Sequence, residues 1–91
     1  QEPVPVSWNE ITSTGLPLEA AEVLVQAGRT GLEVSIDYES RTGQRSYRVV
    51  PRRLERNGPL YYVCGEYVEK PGEQMVLRVD RIREVHAVEE P

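Results

Sequence analysis

Four arginines, Arg48, Arg52, Arg53 and Arg56, precede Asn57-Gly58, and three tyrosines, Tyr61, Tyr62 and Tyr67, follow it. A guanidinium fork grips phosphate through paired hydrogen bonds, and a phenol ring offers a flat face on which a base stacks. On a two-stranded ribbon the two sets would face each other, one arm holding phosphate and the other a base. The same residues also describe an ordinary hairpin with a charged outer face and tyrosines packed inward. Further on, Arg78 and Arg81 flank Asp80. They are either an anion seat, or a corner fixed by an ion pair of Asp80 with Arg81 or Arg83. Arg78 lies between Leu77 and Val79, so strand alternation sends it away from the core.

Catalysis finds less support. His86 is the one histidine and Cys64 the one cysteine, which falls short of the three or four Cys or His ligands of a zinc site. Strand parity points His86 outward, and Cys64 reads as a small buried hydrophobe. Gly43, Gly58, Gly65 and Gly72 are isolated and form no phosphate-cradling loop. The expectation is a non-enzyme with no metal and no cofactor.

Charge is distributed unevenly. Residues 1–40 carry Arg29 against seven acids, a balance of −6, whereas residues 41–83 carry ten bases against five acids, a balance of +5. The net charge of −4 argues against a generic nucleic-acid binder, but a local field is what steers a ligand. Nine of those ten bases are arginine, the residue suited to bidentate phosphate contact. No apolar run approaches the roughly 18 residues of a spanning helix. A lone cysteine fits a reducing, cytoplasmic setting, and a start at Gln1 rather than Met reads as a piece of a longer parent chain.

The elements that must position these residues follow from periodicity. Residues 1–16 read as an extended lead-in with Trp8 and Ile11 as anchors, since Pro3 and Pro5 favour extended backbone. Residues 17–28 read as a helix, with Leu18, Ala21, Leu24 and Val25 forming an apolar stripe and Gly28 or Gly31 as the stop. Leu32 to Glu39 alternates apolar and polar, as a half-buried strand does. Strands are then expected over 44–54, 60–68, 74–79 and 83–89, with turns between them and a corner at Asp80. Asn57-Gly58 is the strongest hairpin signal, and Pro51 marks an edge or a bend. A helix followed by five short antiparallel strands predicts a mainly β domain over residues 17–91, a small barrel of the SH3 or Sm kind.

The order of these pieces resembles the WYL domain family over roughly residues 17–88. The resemblance rests on the leading helix, Val34-Ser-Ile-Asp-Tyr38, Val49-Val-Pro51 with Leu54, Asn57-Gly-Pro-Leu-Tyr-Tyr-Val63 and Leu77-Arg-Val-Asp-Arg-Ile82. The name-giving triplet stands here as Tyr61-Tyr62-Val63. Two arginines frequent in the family fall on Tyr47 and Met75. The resemblance implies an Sm-like regulatory or sensor module, found in bacterial transcription regulators, some helicases and CRISPR-associated proteins. It implies single-stranded DNA, RNA or a nucleotide as ligand. By position, Tyr38, Tyr62, Arg78 and Arg81 match characteristic family positions. Tyr61, Arg48 and Arg52 join them from the local pattern alone. The alternative is a docking domain that binds protein and no nucleic acid, through an exposed strand edge.

Overall fold

The structure, a computed structural model, describes residues 2–88; Gln1 and residues 89–91 lie outside it, and with them the expected strand end at Glu89. The helix α1 spans Leu18–Thr30, two residues past the expected end at residue 28, and of the two expected stops, Gly28 and Gly31, it uses the second. It continues because Gly31, at φ 72°, is the residue that closes it, its amide donating to the carbonyl of Ala27. Gly28 serves packing instead. A Cβ there would stand 2.3 Å from Cζ2 of Trp8, so the indole lies directly on the helix backbone. The buried stripe is Ala20, Ala21, Leu24 and Ala27, and Leu18 stands 66% exposed at the helix start.

Six antiparallel strands follow from the rest of the chain: β1 (Val4–Val6), β2 (Val34–Ser40), β3 (Gly43–Asn57), β4 (Leu60–Tyr67), β5 (Gln74–Arg78) and β6 (Ile82–Ala87). They lie in the order β5-β4-β3-β2-β6, with β1 added beside β3. The expected five-stranded closed barrel is therefore corrected to a six-stranded sheet that does not close. The edge strands β5 and β6 are joined through a 3-10 turn at Val79–Arg81 rather than hydrogen-bonded to each other. The extra strand is β1. Its Pro5 lacks an N–H, which only a strand with an open side tolerates.

The lead-in is not merely extended. After β1, residues Trp8–Ser13 form a 3-10 helix, capped where the Ser7 hydroxyl accepts from the amide of Asn9. This segment buries Ile11 to 1% exposure. An apolar side chain removed from water to that degree contributes about 1.5–3 kcal/mol, so the segment belongs to the core.

β3 organises the sheet. Its first half, from Gly43 to Val49, pairs with β2, and its second half, from Val49 to Asn57, pairs with β4. Between Pro51 and Arg53 the register shifts, leaving Arg52 as the extra residue of a bulge. Pro51 thus lies buried within a central strand; the bulge is the device that accommodates its missing donor. Opposite it stands Gly65, where a Cβ would come within 2.1 Å of the Val50 carbonyl oxygen. The hairpin turn falls one residue later than Asn57-Gly58: Asn57 pairs with Leu60, and Gly58-Pro59 make the turn. Leu24, Ile36, Val49, Leu54, Val63 and Met75 are fully buried between α1 and the sheet. Among the described residues no charged side chain is buried, and no helix is long and apolar enough to cross a membrane.

Candidate functional site

The expected site residues separate according to face and level in the sheet. Tyr61 and Tyr62 are neighbours on β4 and so point to opposite sides. Tyr61 packs against the core cluster. Its hydroxyl donates to Oε1 of Glu10 at 3.0 Å, and the same oxygen accepts from Nη1 of Arg56 at 3.0 Å. Tyr62 takes the outer face. Pairing register sets Glu55 beside it on β3 and Arg78 beside it on β5. Glu55, Tyr62 and Arg78 thus form a cross-strand row of acid, ring and base.

Tyr38 is a core residue, 8% exposed. Its ring meets that of Tyr47 edge-on, with centroids 6.0 Å apart, and Tyr47 in turn meets Tyr67 at 5.8 Å. The Tyr38 hydroxyl accepts a hydrogen bond from the backbone amide of Arg78 at 3.1 Å. Tyr38 therefore ties β2 to the end of β5 and sets the level at which Arg78 leaves the sheet; its own ring offers no open face. Burial, with the neighbouring tyrosine second, raises the Tyr67 pKa above the usual phenol value.

Arg78 grips Asp80 with both ends of its fork, Nε to Oδ1 at 3.0 Å and Nη2 to Oδ2 at 2.6 Å. The pairing raises the guanidinium's pKa and lowers that of the Asp80 carboxyl. Arg81 follows in the same 3-10 turn and has no carboxylate within 4 Å among the described residues. Tyr62 and Arg78 therefore stand side by side near the hydroxyl of Tyr38, and Arg81 follows three residues on in the adjoining turn.

Arg48 and Arg52 lie elsewhere. The carbonyl of Arg48 accepts from Val68, six positions along the chain from Tyr62. At about 3.3 Å per residue, that is about 20 Å along the strand. Its guanidinium is ion-paired with Glu33. Arg52 projects from the bulge, with Nε 3.6 Å from Glu66. Arg53 pairs with Glu55, which raises its pKa through their hydrogen bond. The positive segment is thus largely matched by acids, some close in sequence, as in Arg53–Glu55 and Arg78–Asp80, and others brought in from distant segments, as in Arg48–Glu33 and Arg56–Glu10. The distant partners were not legible in the sequence, because pairs such as Glu10 and Arg56 stand 46 positions apart. The Glu10–Arg56–Tyr61 clamp left no local signal for the same reason.

The two positions where the family often has arginine face inward here. Met75 is fully buried and Tyr47 belongs to the aromatic row. The WYL domain family model matches residues 19–87, and the chain belongs to that family. Domains of this family are generally regulatory or sensor domains in bacterial transcription regulators. Among curated proteins none matches the chain.

Proposed function

We propose that this domain is a non-catalytic sensor that reads an anionic, base-bearing ligand, a nucleotide or a short single strand, at the Tyr62–Arg78–Arg81 corner. The observation that carries the reading is the register of β4 and β5, which sets the Tyr62 ring directly beside Arg78. The ring supplies a stacking face, and Arg81 supplies a guanidinium with no carboxylate within 4 Å among the described residues. A phosphate arriving at Arg78 competes with Asp80 for the fork. With most cations elsewhere paired with acids and dispersed over the sheet, the ligand is a small one rather than a long strand laid across the sheet.

The test is a titration of labelled nucleotides and short single-stranded oligonucleotides at several salt concentrations. Two phosphate contacts give a log–log salt slope of about −1.4 for single strands. Tyr62→Ala should cost about 1–3 kcal/mol of binding, and Arg78→Ala with Arg81→Ala should flatten the salt slope. Arg48→Ala and Arg52→Ala should leave affinity within twofold, on the order of the 0.5 kcal/mol expected for surface changes. Salt-insensitive binding, or none at low salt, defeats the reading.

A second reading is favoured by a separate observation. Two apolar grooves flank the exposed ridge of Glu22 and Gln26 on α1, of about 550 and 730 Å³. Leu32 borders one and Leu18 the other, 55% and 66% exposed. Such surfaces suit docking on protein. Retained regulatory function after replacing Tyr62, Arg78 and Arg81 together would favour this reading over the first.

A further inference from the structure

The outer face of β2 and β6 holds a second constellation. Asp37 stands directly across from Glu84, and His86 lies two residues further along β6, across from Ser35. Nε2 of His86 is 3.5 Å from Oδ2 of Asp37. One possible ligand atom from each of Asp37, Glu84 and His86 lies within 4.8 Å of the other two.

Two observations set this cluster apart from ordinary surface charge. The Ser46 hydroxyl donates to Oδ1 of Asp37 at 2.7 Å, leaving Oδ2 on the side of the imidazole. Hydrogen bonds of this kind orient the carboxylates that ligate metals. In addition, no Lys or Arg lies within 4 Å of either carboxylate among the described residues. The neighbouring cations turn elsewhere. Arg83, displaced by the irregular register between Ile82 and Glu84, bonds Glu39 and the Asp80 carbonyl. Arg48 bonds Glu33, and Arg45 reaches Thr42. In a chain whose arginines are so widely matched with acids, Asp37 and Glu84 share only His86.

We propose that Asp37, Glu84 and His86 form a surface site for a divalent first-row transition metal of the Zn²⁺ kind. One imidazole nitrogen and two carboxylate oxygens form a mixed set that such ions accept. Bonds of about 2.0–2.2 Å place neighbouring tetrahedral ligands about 3.4 Å apart, and the Asp37–His86 separation is already 3.5 Å. Glu84 is exposed and closes the remaining gap by a side-chain rotation. Water completes the coordination. Hard cations such as Mg²⁺ and Ca²⁺ prefer an all-oxygen shell and gain nothing from the imidazole. The bound ion would link β2 to the edge strand β6, away from the Tyr62 corner, so this site is independent of the proposed ligand.

Zinc chloride titrated into the whole chain tests the proposal, followed by calorimetry and by NMR of His86, whose ring is the only imidazole. One saturable site is expected, with the His86 ring signals moving at the same midpoint and the thermal midpoint rising with metal. His86→Ala, Asp37→Asn and Glu84→Gln should each weaken binding by about tenfold or more. All three positions are solvent-accessible, and circular dichroism checks that the variants remain folded. The idea is overturned by the absence of saturable binding below about 1 mM, roughly −4 kcal/mol. Undiminished binding in the His86→Ala, Asp37→Asn double variant overturns it too. So does an equal response to Mg²⁺ or Ca²⁺, which would take His86 out of the ligand set.

Discussion

Cys64 shows how one residue's surroundings decide its chemistry. It is 2% exposed, on the side of β4 opposite Val63, beneath the Arg53–Glu55 pair. Burial first, and the Glu55 charge second, push its thiol up to about 11. The thiolate is the reactive form, so at pH 8 native Cys64 should react with a disulfide reagent at least about tenfold more slowly than in denaturant. Equal rates would show that the thiol is open. The linkage has a definite sign. An acid whose pKa is raised by folding contributes stability below its ordinary value of 9 and loses that contribution as pH rises through about 11. Burial of Cys64 was legible from its place in an apolar strand. Which of Tyr61 and Tyr62, both half-buried, packs against the core was not, because alternation says only that adjacent residues differ. What decides between them is Glu10, brought over from the lead-in, which gives the inward phenol a hydrogen-bond partner.

At the level of elements, the hairpin of β3 and β4 depends on close backbone approach at the bulge. Gly65→Ala would place a methyl 2.1 Å from the carbonyl oxygen of Val50 and 3.0 Å from Cα of Pro51. Both are backbone atoms and cannot swing aside as a side-chain tip does. Overpacking of this kind costs about 3 kcal/mol, to be read from denaturant unfolding; a loss under about 0.5 kcal/mol would mean the bulge relaxes freely. Strand identities could be read because alternation in Val34–Tyr38 and Met75–Val79 matches the buried face. The pairing order could not, since β6 sits next to β2 while following β5 in the chain. Metal-type clusters such as Asp37 with His86 arise from that pairing, and so were hidden as well. β1 was missed because two prolines in five residues usually argue against a strand.

For the molecule as a whole, the lead-in proves to be structural. Ile11 fills the core at 1% exposure, Trp8 rests on Gly28, and Glu10 clamps Arg56 and Tyr61. A chain of 91 residues has roughly 5–14 kcal/mol of total stability. Ile11→Ala should remove about 2–5 kcal/mol of it, lowering the thermal midpoint by about 8–40 °C. A midpoint near that of the wild type would make the lead-in an appendage. The 15 residues of β3 carry a further consequence. That one strand belongs to both halves of the sheet, so the fold has no seam along which it divides into two self-sufficient pieces. A protease nick at the exposed Lys70–Gly72 turn would leave fragments with intact strands to reassemble. A nick within β3 would deprive β2 and β4 of their common template.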